Sequence, residues 1–436
     1  MTVSITAPLQ TPAADKPRGR LRWMICGLLF LATTINYMDR QVLGVLKPTL
    51  LGELHWSEID YSNIIAAFSA AYAIGYALGG WLMDRLGVRR GLALCVVGWS
   101  LASMGHAFVG SVMGFALMRV ALGLAEGGNF PAAVKAVGEW FPRRERALAT
   151  GIFNAGANVA IVITPLVVAF LTVRFGWPSA FLVLGGLGLA WWLLWHLSYH
   201  EPAGHPRLSR DELAYIQSEP TASAGRQIGW GELLRQRQTW VFVVGMMATC
   251  PVWWFYLYWV PGFLNARHGL SLTQLGAPLI TIYLIADVGS VGGGWLSSTL
   301  IKRGWAVGRA REAAMLVCAV CVVPVFFAAS VSGTWSATLL IGLAAAAHQG
   351  FAANLYTLVS DTAPGFAVSR IVGIGGMAAG IAGMFNAKFV GYVLDWSGDY
   401  RPLFFLASVT YLAALAIIHF LNPRHEPMRV SPLPAS

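Results

Sequence analysis

Long apolar segments recur along this chain, each separated from the next by a shorter polar stretch. An α-helix of about 20 apolar residues crosses the hydrocarbon core of a bilayer and satisfies its own backbone hydrogen bonds there. The pattern therefore predicts an all-α membrane protein with twelve transmembrane helices. We place these helices at residues 22–46, 60–83, 91–110, 112–136, 146–173, 177–198, 238–264, 274–300, 311–330, 335–359, 370–394 and 402–422.

The composition is typical of a chain that is surrounded by lipid. Hydrophobic residues make up 56% of the sequence and charged residues 11%, whereas about 25% of the residues of a soluble domain are charged. The formal net charge is +10, but the basic residues lie between apolar segments, where they orient a membrane protein. We therefore expect a lipid bilayer as a partner and no nucleic acid.

Motifs of enzymes and ATP-driven pumps are absent from the sequence. It contains no Gly-Lys dipeptide, and hence no GxxxxGK[ST] nucleotide-binding motif, and no HExxH or GxSxG motif. Cys318 and Cys321 form a CxxC pair without a second pair, so we interpret all five cysteines as small core residues. We expect no catalytic residues, no metal and no cofactor.

The longest polar segment, residues 200–237, divides six predicted helices from six others. Lys and Arg are concentrated in alternate loops, on the side that carries this linker and both termini. Because cytoplasmic loops are enriched in Lys and Arg, we expect both termini and the linker to be cytoplasmic. The predicted organisation is a tail (1–21), a six-helix bundle (22–199), a linker (200–237), a second six-helix bundle (238–422) and a tail (423–436).

The two halves resemble each other in sequence. The run Gly80-Trp81-Leu82 at the end of the second helix corresponds to Gly294-Trp295-Leu296 at the end of the eighth. After helices 4 and 10, an acidic residue lies three positions before a proline, and an arginine and two glycines follow at spacings of five. Two related bundles that rock around one site at the membrane midplane are the architecture of an alternating-access carrier.

The segment Gly80-x-x-x-Asp84-Arg85-x-Gly87-x-Arg89-Arg90 lies at the junction of helices 2 and 3. It resembles a motif of the major facilitator superfamily, which implies the fold of that superfamily with two six-helix bundles. The resemblance implies that this loop holds one conformation of the carrier. We expect Asp84 either to lie near a helix N-terminus or to accept hydrogen bonds from Arg146, and the glycines to allow close helix approach. The alternative is a charge cluster that only fixes topology. The predicted gating residues are Gly80, Asp84, Arg85, Gly87, Arg89 and Arg146.

Nearly the whole chain between its tails is similar to the anion:cation symporter family, and within it to the hexuronate porters. The matching stretches are NYMDR (36–40), IAAFSAAY (65–72), EGGNFPA (126–132), EWFP (139–142), FNAGAN (153–158), AHQG (347–350) and GIGGM (373–377). The resemblance implies uptake of glucuronate, galacturonate or a related sugar acid together with protons. We expect a monomer. The lack of an Asn-x-Ser/Thr site favours a bacterial inner membrane.

Six ionisable residues lie within the predicted helices, where a charge is costly and marks a functional candidate. Arg119 and Glu126 share one helix face about 10 Å apart along the axis, so a substrate or another helix would bridge them. We expect Asp287 and Lys388 to pair across helices outside the binding site. The six residues are Asp39, Arg40, Arg119, Glu126, Asp287 and Lys388.

The resemblance assigns proton coupling to Glu126 and Asp39. Burial in an apolar helix favours a neutral carboxyl group, whereas a nearby arginine favours the carboxylate. An anion that occupies the arginine would therefore let Glu126 take up a proton. The alternative is a structural salt bridge between helices 1 and 4, for example from Arg40 to Glu126.

Arg40 or Arg119 is expected to bind the carboxylate of the substrate, because a guanidinium group donates two parallel hydrogen bonds. Asp39 and Arg40 point about 100° apart on a helix and cannot face the same place. Arg40 shares a face with Asn36, which favours Arg40 on the cavity side. For Arg119, the alternative is packing against carbonyl groups of helix 1 or 2.

Polar and aromatic residues on five helices are candidates for contacts with the sugar. Aromatic rings stack on the apolar face of a sugar, and tyrosine adds a hydroxyl group. The alternatives are interhelical hydrogen bonds, an interfacial aromatic belt and a core position for the histidine. Besides Arg40 and Arg119, the predicted substrate-binding residues are Tyr72, Tyr76, Asn154, Asn158, Trp254, Tyr256, His348, Gln349 and Asn354.

The small number of intramembrane cations suits a small organic monoanion better than a dianion. These cations are Arg40, Arg119 and Lys388. Together with this count, the resemblance implies proton-coupled symport of a hexuronate as the predicted function. The alternatives are a carrier of an aldonate, an aromatic acid or a dicarboxylate, and a non-transporting sensor with the carrier fold.

Overall fold

The structure, a computed structural model, describes residues 20–218, 230–423 and 426–428. Within these ranges a few side chains in helices are not described, among them that of Asp84. Most of the predicted tail 1–21, part of the predicted linker and most of the predicted tail 423–436 lie outside the described residues.

Long helices form most of the described chain, and eleven of them are long and apolar enough to cross a membrane. A turn at Gly127 and Gly128 interrupts a further helix, α4, so neither piece reaches the length of about 20 residues that a span needs. The predicted all-α fold is confirmed, and no strand occurs in the described ranges. The helices are α1 (Leu21–Leu54), α2 (Glu58–Met83), α3 (Arg85–Phe108), α4 (Val112–Glu126 and Asn129–Trp140), α5 (Arg143–Phe175), α6 (Trp177–Ser198), α7 (Arg237–His268), α8 (Gly276–Lys302), α9 (Val307–Ala329), α10 (Thr334–Thr362), α11 (Gly365–Ser397) and α12 (Arg401–Leu421), with two short helices in the linker, Arg210–Ile216 and Trp230–Leu234.

Local signals set the helix boundaries. A capping box begins α2, since the Ser57 hydroxyl accepts from the backbone N–H of Asp60 and the Asp60 carboxylate accepts from that of Ser57. Gly87 turns the chain near the junction of α2 and α3 with a φ of 72°, a conformation that favours glycine. Pro142 and Pro364 directly precede α5 and α11, which matches the internal repeat.

Small residues bring α2 against α4 in the first bundle and α8 against α10 in the second. A Cβ atom on Gly79 would lie 2.6 Å from the Cα atom of Gly128. Gly293 makes the corresponding close approach to Gly350. Because lipid gives little hydrophobic drive for helix association, such backbone proximity supplies much of the packing. The two bundles therefore repeat the same helix pairing, in agreement with the repeat in the sequence.

The two bundles meet along three helix pairs, α1 with α7, α2 with α11, and α5 with α8. Buried side chains of both bundles join one large apolar cluster across these contacts. The middle of the long helices, where the two bundles face each other, is the position of the cavity described below.

The first part of the linker folds back onto the first bundle. Its helix Arg210–Ile216 places Glu212 beside Arg22 at the start of α1, with a nitrogen–oxygen distance of 2.9 Å. Arg22 also lies 2.9 Å from Glu145 of α5, and the hydroxyl of Tyr215 donates to Glu145 at 2.8 Å. A buried ion pair and a hydrogen bond thus join the linker to this end of the bundle.

Candidate functional site

A cavity of about 260 Å³ lies between the two bundles. Its wall consists of one face of α1, α2, α4 and α5 from the first bundle and of α7, α10 and α11 from the second. The lining residues follow helical spacing, for example 33, 36, 37 and 40 in α1. Arg40 and Glu126 are the only Arg, Lys, Asp or Glu residues among the described residues that line it.

Most of the predicted site residues meet in this cavity. They come from six helices that are distant in sequence, and the packing of the two bundles brings them together. The predicted residues in the cavity wall are Arg40, Tyr72, Tyr76, Glu126, Asn154, Asn158, Trp254, His348 and Gln349.

Arg40 of α1 and Glu126 of α4 form an ion pair in the cavity wall. The Nε and Nη2 atoms of Arg40 lie 3.0 and 2.9 Å from Oε2 of Glu126. The guanidinium carbon lies 4.4 Å from the ring centroid of Tyr72 and 4.9 Å from that of Tyr37, so aromatic faces also stabilise the cation. The salt bridge expected as a structural alternative is therefore formed, but in a place that a bound anion can reach.

The second carboxylate candidate, Asp39, lies behind the cavity wall. Its Oδ1 atom accepts a hydrogen bond from the hydroxyl of Ser103 in α3 at 2.5 Å, and the residue is 1% exposed. Its Oδ2 atom has no hydrogen-bond partner among the described residues. Helix α1 thus directs Arg40 to the cavity and Asp39 toward α3, as the angle between neighbouring side chains requires.

Arg119 does not line the cavity, although it was predicted to bind substrate. It is fully buried, and none of its three side-chain nitrogens has a hydrogen-bond partner in the described part of the chain. Its guanidinium lies 5.6 Å from the ring centroid of Phe68, with Tyr61 and Tyr258 as electrostatic neighbours. Helical spacing placed Arg119 on the face of Glu126, but it did not reveal that neighbouring helices cover this part of α4.

Tyr256 and Asn354, which were predicted to bind substrate, also lie away from the cavity. Tyr256 is 1% exposed and does not line the cavity, although Trp253 and Leu257 on the same helix do. The amide of Asn354 donates to the carbonyl oxygens of Gly293 and Gly350 at 3.0 and 2.9 Å. Asn354 therefore holds α8 against α10, which is the interhelical role given as the alternative for asparagine.

The second bundle contributes an aromatic wall. The imidazole of His348 stacks on Trp253 with a centroid distance of 4.9 Å and an interplanar angle of 12°. Its Nδ1 atom lies 2.7 Å from the hydroxyl of Tyr411 in α12. Trp254 packs edge-on against Tyr72 of the first bundle at 6.4 Å. Flat rings and hydrogen-bonding groups thus lie near Arg40.

The cavity also contains residues that were not predicted as site residues. Many lie three or four positions from a predicted residue, so they share its helix face, and this spacing was a signal in the sequence. Asn129, for example, begins the second piece of α4 three positions after Glu126, and its amide donates to Thr33 at 3.4 Å. These lining residues include Thr33, Asn36, Tyr37, Asn129, Phe130, Thr249, Cys250, Trp253 and Tyr356.

Contacts between the bundles close the cavity at the end of α1 that is distant from the linker. The hydroxyl of Tyr61 donates to the carbonyl oxygen of Tyr258 at 3.0 Å. The Nζ atom of Lys47 lies 3.3 Å from the hydroxyl of Tyr400 and 2.8 Å from Glu58. We call this region, residues 44–63 with their partners in α7, α11 and α12, the closed end.

Lys388 belongs to the closed end and does not pair with Asp287 as predicted. Its Nζ atom donates to Oδ1 of Asn63 in α2, across the bundle interface. Asp287 lies on α8, which packs against α5, α9 and α10, whereas Lys388 lies on α11. Within the described chain the two residues are therefore held apart by the order of the helices.

Gly44 permits the close approach of α1 and α7, and its replacement by leucine is expected to open the closed end. A Cβ atom there would lie 2.6 Å from the carbonyl oxygen of Leu257. Overpacking costs about 1–3 kcal/mol. A cost of this size shifts the equilibrium between the closed and the open form of the closed end by about tenfold. We expect a maleimide to label a cysteine introduced at Ser62 about tenfold faster, after replacement of the native cysteines. The control is Gly52→Leu, because nothing lies within 4 Å of that position; equal labelling of both variants would contradict the expectation.

The predicted contact between Arg146 and Asp84 stays a prediction, because the structure does not describe the side chain of Asp84. The Nε and Nη2 atoms of Arg146 donate to the carbonyl oxygens of Phe141 and Gly138, each at 2.8 Å. Arg146 therefore caps the C-terminal end of α4, where a cation is favourable.

The other predicted gating residues lie at the same end as the linker. Arg89 donates to the carbonyl oxygen of His196 at 3.0 Å, which joins α3 to the end of α6. Arg85 is exposed. Gly80 makes no close helix contact, since a Cβ atom there would have nothing within 4 Å, and Gly79 makes that contact instead. One position turns the helix by about 100°, which accounts for the correction.

Metal-binding geometry is not found in the described ranges, where no three His, Cys, Asp or Glu side chains come together. The five cysteines are all free, so Cys318 and Cys321 do not form a disulfide. The chemistry of the cavity is therefore that of one cation, one carboxylate, and neutral hydrogen-bonding and aromatic groups.

Comparison with known proteins identifies relatives over nearly the full length. Residues 29–346 match the Major Facilitator Superfamily. A hexuronate transporter from Escherichia coli (strain K12) is 32% identical over 404 residues, which cover 91% of this chain and 93% of that protein. A galacturonate transporter from Dickeya chrysanthemi is 35% identical over 281 residues, which cover 63% of this chain and 81% of that protein.

The fold is shared with solved transporter structures. A bacterial homologue of the human lysosomal transporter Spinster, in an inward-facing and occupied conformation, has a TM-score of 0.72 at 19% identity. The match covers 93% of this chain and 98% of that one. At this identity the likeness concerns the fold alone.

Proposed function

This chain belongs to the Major Facilitator Superfamily, and from this premise we propose that it is a secondary carrier for proton-coupled uptake of a sugar-acid monoanion, a hexuronate. It is a multi-pass membrane transporter and not an enzyme. The observation that carries the proposal is the Arg40–Glu126 pair, in a cavity that has no other Arg, Lys, Asp or Glu among its described lining residues. The names of the two relatives support the substrate class.

Arg40 binds the carboxylate of the substrate in this proposal. The Nε and Nη2 atoms already hold a carboxylate oxygen of Glu126, so the same two donors suit an external carboxylate. The aromatic faces of Tyr72 and Tyr37 keep the guanidinium in place while its partner changes. Substrate binding and the internal ion pair therefore compete for one cation.

Glu126 couples this competition to a proton. Its Oε1 atom has no hydrogen-bond partner among the described residues, and its Oε2 atom depends on Arg40. A buried carboxylate without a partner is costly, so Glu126 takes up a proton when the substrate occupies Arg40. Asp39 is the second proton-coupling residue of the proposal, since its Oδ2 atom is also buried without a partner in the described chain.

The sugar ring contacts the neutral walls of the cavity. Trp254 offers an aromatic face, and the hydroxyl groups of Tyr72 and Tyr76 can exchange hydrogen bonds with the sugar. Asn154 and Asn158 lie on the wall formed by α5, and His348 and Gln349 on that formed by α10. This division of labour between one charged position and several neutral ones suits a polyhydroxylated acid.

A monoanion fits the charges better than a dianion. Arg40 is the single Arg or Lys in the described cavity wall, and Arg119 is fully buried outside that wall. A second carboxylate would thus lack a cation, and an unpaired buried charge costs several kcal/mol. An aldonate or an aromatic acid satisfies the same charge condition, and a dicarboxylate is the less suitable alternative.

The proposed orientation places the closed end on the outer side of a bacterial inner membrane. Lys and Arg are concentrated in the loops near the linker, which favours a cytoplasmic position for the linker and both termini. The closed end lies at the opposite end of α1 from the linker contacts of Arg22. The described conformation is then closed toward the outside, and opening of the closed end would admit substrate.

Uptake into proteoliposomes tests this function. The purified carrier is reconstituted, an inward proton gradient is imposed, and the accumulation of labelled galacturonate and glucuronate is measured against protein-free vesicles. We expect accumulation that disappears when an ionophore dissipates the gradient. Uptake that ignores the gradient would refute proton coupling. Transport restricted to an aldonate, an aromatic acid or a dicarboxylate would refute the hexuronate assignment, and binding without any transport would identify a sensor.

A further inference from the structure

Tyr411 of α12 contacts the cavity wall from behind. It is fully buried, and no described residue of α12 lines the cavity. Its hydroxyl lies 2.7 Å from Nδ1 of His348, which does line the cavity. Its ring packs edge-on against Phe351, with centroids 5.4 Å apart, so the position of the hydroxyl is fixed by packing.

The imidazole of His348 is held on two sides. Its face stacks on Trp253, and its Nδ1 edge faces the hydroxyl of Tyr411. The remaining polar atom, Nε2, has no hydrogen-bond partner among the described residues. It is not fully buried, and the residue lines the cavity. Nε2 is therefore the atom that His348 offers to a ligand in the cavity.

Hydrogen-bond satisfaction defines the tautomer of His348. The hydroxyl of Tyr411 has no other acceptor in the described part of the chain, so it donates to Nδ1. In the opposite arrangement, with Nδ1 as donor, the hydroxyl hydrogen would be buried without an acceptor, which costs about 1–3 kcal/mol. A neutral imidazole that accepts at Nδ1 carries its proton on Nε2. His348 therefore presents an N–H donor to the cavity.

We propose that Tyr411 is a positioning residue for substrate specificity, which holds the His348 ring so that Nε2–H donates to one hydroxyl oxygen of the bound sugar acid. This inference rests on the proposed function, because it assumes a hydroxylated anion in the cavity. Arg40 fixes the carboxylate on α1, and His348 fixes one hydroxyl group on α10. Two fixed points on opposite bundles select the configuration of the carbon that carries that hydroxyl.

The test removes only the hydroxyl group of Tyr411. The variant Tyr411→Phe keeps the ring and its packing, and Tyr283→Phe is the matched control. Tyr283 is buried on α8 and packs edge-on against Trp253 with ring centroids 5.9 Å apart, but it does not line the cavity. KM and Vmax are measured for galacturonate, for glucuronate, and for deoxy analogues that each lack one hydroxyl group.

We expect Tyr411→Phe to raise KM about tenfold for the substrates that carry the recognised hydroxyl, as loss of one hydrogen bond predicts. The KM of one deoxy analogue should not change, because it lacks that hydroxyl group. His348→Gln should show the same selective loss, and the double variant should show no further loss. The control Tyr283→Phe should behave as the parent.

Two results would overturn the role of Tyr411. One is an equal rise of KM for all analogues, and the other is additive losses in the double variant. Both leave the proposed function intact, because the parent still transports sugar acids. If the parent transports neither sugar acid, the proposed function fails and this inference fails with it, so the two failures are distinguishable.

Discussion

Replacement of Arg40 by lysine is expected to reduce uptake of a hexuronate by about 100-fold at low substrate concentration. Lysine keeps the positive charge but lacks the planar fork that presents two parallel donors. Loss of one charge-assisted hydrogen bond costs about 1.5–3 kcal/mol. Lysine would also lose the stacking of the guanidinium on Tyr72 and Tyr37. The effect should appear in KM, measured in proteoliposomes, and the thermal stability in detergent should change little.

The control for this variant is Arg174→Lys. Arg174 is exposed in the last turn of α5, away from the cavity, so the same change of side chain there should leave uptake unchanged. A parental KM in Arg40→Lys would mean that the Arg40–Glu126 pair is only a structural tie between α1 and α4.

Replacement of Glu126 by glutamine is expected to abolish concentrative uptake while exchange of substrate across the membrane continues. Glutamine has the shape of the protonated acid but cannot release a proton. With one proton per monoanion, the parent accumulates substrate about tenfold per unit of pH difference, because each unit corresponds to about 1.4 kcal/mol. The variant should bring the inner and outer concentrations to the same value. Counterflow of labelled against unlabelled substrate measures the exchange.

The matched control is Glu53→Gln near the end of α1, where the side chain is exposed and distant from the cavity. Gradient-driven accumulation should persist there. If Glu126→Gln still concentrates substrate and Asp39→Asn does not, proton coupling belongs to Asp39 alone. Loss of exchange as well as accumulation would instead show that Glu126 is needed for the conformational cycle itself.

The two experiments distinguish a structural role of the Arg40–Glu126 ion pair from a role in transport. A structural pair contributes through its presence, so either replacement would lower stability and transport together. A pair that opens during transport contributes through its exchange of partners. In that case, Arg40→Lys changes affinity and Glu126→Gln changes coupling, with little loss of fold.

Local patterns were sufficient for the class of protein and for the internal repeat. A run of apolar residues long enough to span lipid must be helical, because no water satisfies the backbone there. Adjacent side chains on a helix point about 100° apart, which predicted that Arg40 and Asp39 face different places. The structure places Arg40 in the cavity wall and Asp39 behind it.

Interruptions and exact ends of helices were less accessible to local patterns. Helix α4 is interrupted at the glycine pair Gly127 and Gly128. A search for long apolar segments does not detect such a pair, because the apolar residues on both sides dominate the average. Helix α1 continues to Leu54, beyond its predicted end at residue 46, because a polar helix end leaves no signal in apolar length.

Partner choice depended on packing between helices that are distant in the chain. Helical spacing grouped Arg119 with Glu126, and aromatic composition grouped Tyr256 with Trp254. Neither pattern contains information about which helices cover each side chain. The structure buries Arg119 away from the cavity, ties Asn354 to α8 and pairs Lys388 with Asn63. Sequence periodicity reports one helix at a time, whereas a cavity is the space that several helices leave between them, so the cavity wall could be known only from the assembled bundles.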